Sequence, residues 1–173
     1  MLLEIAGLRG NEMSNKTTFL NISSTSADWR GLALSNFGLS PFVLDDMLFA
    51  SVEGFIQGIK FAENDPRRLQ AFQLSGWEAK HLGDQADRSG AYWSGQRLAY
   101  GSAQHHQLIE AAIRARIDQS IGLQRALLST NGLELVHDTG RAEASTTSLP
   151  ATVFCRILTA IRAELLRARP TVL

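Results

Sequence analysis

Three side chains with chemical potential, Glu53, Gln57 and Lys60, stand in the stretch "SVEGFIQGIKF", residues 51–61, among apolar residues and glycines. On a helix of 100° per residue, Gln57 falls about 40° to one side of Glu53 and Lys60 about 20° to the other, so all three share one narrow stripe. Burial raises the pKa of a carboxyl group and lowers that of an amine, while their mutual attraction does the reverse. An enclosed stripe of this kind offers Glu53 for general acid or base work, and Lys60 for nucleophilic or electrostatic work. The same spacing also suits the solvated face of an ordinary amphipathic helix, and periodicity alone does not separate the two.

The elements around the stripe limit the choice. Val52, Phe55, Ile56 and Ile59 form a separate apolar face, and Gly54 and Gly58 leave a seam where another backbone can approach. Two glycines cost the helix about 1 kcal/mol each against alanine, so tertiary packing has to hold it. Ser51 is suited to cap its start. Upstream, "TTFLNIS" reads as a strand, and Phe42–Leu44 with Met47–Phe49 reads as a hairpin around Asp45 and Asp46. Downstream, Asp65-Pro66 opens a helix, "SGWEAKHLG" forms a short one ending at Gly83, and Ile109, Ala112, Ile113 and Ile117 recur at helical spacing. Leu123, Ala126 and Leu127 continue in a helix stopped by Asn131-Gly132, and "LELVH" is a short strand. Val153, Phe154, Ile157, Leu158, Ile161 and Leu165 make one stripe of a long final helix after Pro150. Residues 1–16 lack a clear period and read as an N-terminal extension to a domain over 17–170. The expected fold is α+β: one helix-rich domain with a small antiparallel sheet from the N-terminal third.

Bulk composition excludes some functions. The chain has 173 residues, with seventeen basic and seventeen acidic side chains and no run of one sign. It therefore lacks the electrostatic footprint of a general nucleic-acid binder. One cysteine, Cys155, excludes an internal disulfide, and no Cys/His spacing suits structural zinc. The N-terminus is neither a signal peptide nor a membrane span, so a cytoplasmic protein without membrane partners is expected.

The ordered segments "LSNFGLSPFVLDD", "SVEGFIQGIKF", "GWEAKHLG", "ELVHD" and "ILTAIRAELL" resemble the NADAR family, also called YbiA-like, over residues 30–167. The resemblance implies a mainly helical α+β fold and hydrolysis of N-glycosidic bonds to ribose. The substrates it implies are small-molecule N-ribosides, such as ADP-ribosylated guanine or a phosphoribosyl-aminopyrimidine, with no cofactor and no metal. Glu53, Gln57 and Lys60 match the family's helix, Ser35, Asn36 and Phe37 its loop, and Lys80 its Ala-Lys segment. Glu53 and Lys60 are then the catalytic candidates, with Gln57 orienting either of them. Asn36 is a candidate for hydrogen bonding to ligand, and Phe37 and Trp77 for stacking on a base. As a divergent member, the chain has Gly54 where many relatives carry histidine, and "DTGRAEASTTSLP" where they carry Asn-Asp and Trp-Gly; Asp138 is the candidate substitute acid.

Other residues invite separate readings. Arg30, just before the Ser-Asn-Phe loop, is a candidate phosphate clamp. His105 and His106 diverge on a helix and read as a surface pair near its N-terminus. Cys155 reads as a small residue packed beside the last apolar stripe.

Overall fold

The computed structural model describes residues 18–168. The expected extension over residues 1–16 lies outside them. Short polar caps start most of the helices. Asp28 opens α1 (Trp29–Leu34), accepting the Arg30 N–H at 2.8 Å. A hairpin follows, β2 (Phe42–Leu44) against β3 (Met47–Phe49), after β1 (Phe19–Asn21). Its turn residues Asp45 and Asp46 adopt φ of 48° and 61°, the left-handed pair that matches the twist of a two-residue hairpin.

The helix α2 (Val52–Gly58) is capped by Ser51, whose Oγ accepts the Gly54 N–H at 2.8 Å and donates to the Leu74 carbonyl at 2.9 Å. It is followed by α3 (Pro66–Phe72), which begins with proline behind an Asp65 cap, and α4 (Gly76–Gly83). A second hairpin, β4 (Ala91–Trp93) and β5 (Gln96–Leu98), turns at Ser94-Gly95, again with positive φ. Then come α5 (Ala103–Asp118), α6 (Ile121–Leu128), β6 (Glu134–Val136) and the long α7 (Ala151–Ala168).

α2 is the centre of the molecule and packs against α3, α4 and α5. Its seam is tight. A Cβ on Gly54 would lie 2.4 Å from the Leu74 carbonyl oxygen, and one on Gly58 would lie 2.3 Å from the Phe72 ring. On the apolar face, Val52, Phe55 and Ile59 are fully buried. Phe49 sits among Phe72, Phe55 and Phe42 with ring centroids 4.7, 5.1 and 5.3 Å away, an edge-to-face and stacked cluster that fixes the hairpin onto α2 and α3.

The architecture is the helix-rich α+β domain expected, with its strands distributed differently from the single antiparallel sheet envisaged. Three two-stranded ladders form. Two are antiparallel hairpins, while β1 runs parallel to β6, pairing Leu20 with Leu135. A parallel pair needs a long crossover, and here nearly the whole domain provides it. α1 and the β4–β5 hairpin are elements that sequence patterning did not reveal.

Candidate active site

The polar stripe of α2 is buried. Glu53, Gln57 and Lys60 are 8%, 3% and 4% exposed, which rejects the solvated-face alternative. They form a relay: Gln57 Nε2 donates to Glu53 Oε1 at 2.7 Å, and Lys60 Nζ donates to Gln57 Oε1 at 2.5 Å. The helix ends at Gly58, and Lys60 lies just beyond, its N–H bonded to the Gln57 carbonyl. Burial pushes the Glu53 carboxyl pKa up, against the lowering effects of the Gln57 hydrogen bond and of the Lys80 and Lys60 charges. Burial also pushes the Lys60 amine down to about 8, and the nearby Arg88 charge adds to that effect.

This relay faces a cavity of about 490 Å³. Ser35, Asn36 and Phe37 form one wall, Trp77 and Lys80 on α4 another, and the segment after β6 closes a third. The loop wall is built by α1 and held from two directions. The Glu53 N–H donates to the Asn36 carbonyl at 3.0 Å, docking the loop on the first turn of α2. From α5, the buried Arg116 donates to the Ser35 carbonyl at 3.0 Å and to the Ala33 carbonyl, filling the carbonyl end of α1. The Ser35 hydroxyl accepts the Phe37 N–H at 3.2 Å, so it shapes the loop. Asn36 Oδ1 is sealed from solvent and has no partner among the described residues. Phe37 meets Trp77 edge to face at 5.2 Å, and Trp77 remains 57% exposed.

Eight of the ten expected site residues thus line one cavity: Ser35, Asn36, Phe37, Glu53, Gln57, Lys60, Trp77 and Lys80. Arg30 and Asp138 do not. Arg30 wraps back on its own helix cap, with Nη2 2.6 Å from Asp28 Oδ2 and Nη1 donating to the Ser129 carbonyl at 3.0 Å. Asp138 Oδ1 accepts the Gly140 N–H at 2.7 Å, and its backbone is clasped by the Asn21 carboxamide. Both are occupied with local structure outside the cavity.

Four ionisable cavity residues lie outside the expected set: Arg88, His137, Arg141 and Glu143. Arg88 has φ of 55°, pairs through Nη2 with Asp84 at 3.0 Å, and keeps a sealed Nε without a partner. His137 follows β6 directly, and its Nδ1 lies 2.5 Å from the Ile22 carbonyl, so the parallel β1–β6 pair places it. The Glu143 carboxylate accepts the Ala151 N–H at 2.6 Å at the start of α7. Only "ELVHD" carried a usable signal, because a polar residue just after a short buried strand often lies at a sheet end where sites form.

The histidine pair is corrected. His105 is fully buried, accepts the Gly101 N–H on Nδ1 at 2.9 Å, and is pushed down to about 4 by burial. Cys155 is partly buried, and burial raises its thiol to about 11, as suits a packing residue. Gly54 faces α3 and not the cavity. Among the described residues no group of three or more His, Cys, Asp or Glu side chains converges as metal ligands, and no helix is long and apolar enough to cross a membrane.

The fold of this domain has a counterpart among solved structures. The NMR structure of the E. coli protein YbiA superposes with a TM-score of 0.63, covering 87% of this chain and 86% of that one at 22% identity. The fold is therefore YbiA-like. The family model described as bacteriophage protein GP30.3 matches residues 28–163, and the chain belongs to that family. It is also 34% identical over 113 residues to an uncharacterised 17.1 kDa protein from the Gp30–rIII intergenic region of Enterobacteria phage T4, spanning 63% of this chain and 74% of the phage protein.

Proposed function

We propose that this chain is an N-glycosidase that hydrolyses the C–N bond of a ribosyl or ADP-ribosyl conjugate. The observation that carries the reading is the buried Glu53–Gln57–Lys60 relay on the cavity floor. Ribosyl C–N cleavage passes through an oxocarbenium-like state and needs a carboxyl group at the anomeric carbon and a proton for the departing nitrogen. Glu53 suits both tasks, because its raised pKa keeps more of it protonated near neutrality. As the C1′–N bond breaks, its electron pair leaves with the nitrogen, which takes the Glu53 proton. Water then adds to C1′ and returns a proton to the carboxylate, which restores the starting state.

The remaining side chains fit a ribosyl ligand. Gln57 holds the carboxyl group while spacing it from Lys60, whose other ammonium protons are free for sugar hydroxyls or phosphate. Asn36 Oδ1 offers an acceptor to a ligand donor. Phe37 and Trp77 offer a face for a base at the mouth. Lys80, whose side chain makes no hydrogen bond or ion pair among the described residues, and Arg88, with its unpartnered Nε, suit a phosphate or diphosphate. In this reading Arg88 takes the anchoring role expected of Arg30.

Release of free base from a panel of N-ribosides, including ADP-ribosylated guanosine and phosphoribosylated aminopyrimidines, tests the proposal by chromatography. Turnover of at least one panel member is expected. Calorimetric binding of ADP-ribose with no base released across the panel would assign the cavity to a noncatalytic ligand-binding module instead.

A further inference from the structure

Gly83 closes α4, where a sequence reading takes it for a helix stop. The structure gives no conformational reason for glycine there. Gly83 is not among the residues with positive φ, and the helix passes through it to a right-handed Asp84. Space is the reason. A Cβ at position 83 would lie 1.8 Å from Gln57 Oε1, 2.6 Å from Gln57 Cδ and 2.7 Å from Gln57 Cβ. Real side chains do not approach so closely, so any residue larger than glycine must displace the carboxamide.

That carboxamide is the link between Glu53 and Lys60. We infer that Gly83 is a positioning residue of the proposed active site: the bare face of α4 at Gly83 is the seat that holds the Gln57 carboxamide between Glu53 and Lys60. The inference rests on the hydrolase reading above only for its catalytic consequence. Its geometric content is independent of that reading.

Gln57 has little freedom to escape. Its Nε2 must point at a carboxylate oxygen and its Oε1 at an ammonium, which fixes the orientation of the amide. Its near end is also within clash distance, at Cβ, so a rotamer change alone does not clear an alanine. α2 and α4 must also separate slightly, and Lys80, one turn back along α4, moves with the helix. The other two glycines at α2 have a different job. Gly54 and Gly58 admit the Leu74 carbonyl and the Phe72 ring, which belong to the core. Of the three, Gly83 alone opens onto the relay.

The test is a double-mutant cycle on the full chain with Gly83→Ala, Gln57→Ala and the pair, read in two ways. The first readout is the rate at which an acetylating reagent labels Lys60, followed by mass spectrometry near pH 8, where its amine titrates. Loss of the Gln57 acceptor disfavours the ammonium, so labelling should speed up several-fold in either single variant. The double variant should match Gln57→Ala alone. The second readout is turnover. Gly83→Ala should lower kcat by ~30-fold with KM within about threefold, and should cost no more than about threefold in the Gln57→Ala background.

A purely structural glycine would leave Lys60 labelling unchanged or give effects that multiply in the pair, and either result overturns the inference. If Gly83→Ala alone fails to fold, combining it with Gln57→Gly must restore folding, since glycine at 57 removes all three contacts; an unfolded pair also overturns the inference. If the wild-type chain turns over no N-riboside, the hydrolase reading fails while the labelling cycle still decides the role of Gly83.

Discussion

Lys60 Nζ bonds to the carboxamide of Gln57 at 2.5 Å, and Glu53 touches that carboxamide, not the ammonium. Acid and base are held near each other without forming an ion pair. Direct contact would pull both groups toward their charged forms, whereas the spacer leaves burial as the dominant influence on each.

A first prediction concerns Lys60 and pH. Its folded-state pKa is about 8 against an ordinary 10.5. Between those values the unfolded chain binds more protons than the folded one, so stability from this group is present above pH 10.5 and is lost as pH falls through 8. The full difference is about 3 kcal/mol. Lys60→Met should therefore be more stable than wild type at pH 7 in urea unfolding, with the gap narrowing as pH rises from 8 to 10.5. A gap independent of pH over that range would refute the buried-ammonium account.

His105 titrates in the opposite half of the pH scale. It is neutral in the fold, with a pKa of about 4 against 6.5. Its contribution is fully present above pH 6.5 and lost as pH falls toward 4, again about 3 kcal/mol at most. His105→Gln should flatten the acid limb of the stability curve between pH 6.5 and 4. An unchanged acid limb would place the responsible group elsewhere.

Arg116 sustains the loop that carries Asn36. Replacing it with methionine removes the donors to the Ala33 and Ser35 carbonyls and should cost about 3 kcal/mol in chemical denaturation. Weaker binding of ADP-ribose should accompany the loss, because Asn36 and Phe37 follow directly. Full stability in Arg116→Met would show that water satisfies those carbonyls.

Gly54 supplies a prediction about the core. A methyl group there meets two backbone carbonyl oxygens, at 2.4 and 2.6 Å, which cannot rotate away. Gly54→Ala should lower stability by about 2 kcal/mol while leaving the cavity residues in place, and Gly54→His should lower it further. A stable Gly54→His variant would mean that α3 yields readily.

The helices were legible where an apolar period or a start signal stands in the chain, as at α2, α3 and α7. The angular alignment of Glu53, Gln57 and Lys60 followed from helix geometry, but their burial did not, since that depends on α4 and the segment after β6. α1 was hidden because Gly31 in its middle reads as a breaker. Its Cβ would meet the Asn21 carbonyl oxygen at 2.0 Å, so the glycine answers a tertiary contact. The parallel pairing of β1 with β6 joins opposite ends of the domain, and no local pattern encodes that register. Arg30 beside the expected loop looked like an anion clamp because sequence does not show that Asp28, two residues earlier, already holds it. Arg88, by contrast, reaches the cavity from an irregular segment with no period at all.

The proposed hydrolysis requires Glu53 to perform acid and base work on a bound N-riboside. Turnover by Glu53→Gln, measured beside ADP-ribose affinity, tests it most directly, since glutamine keeps the shape and removes the titratable proton. A loss of at least ~100-fold in kcat is expected, with affinity held within about threefold. Glu53→Gln that releases base at the wild-type rate would contradict it.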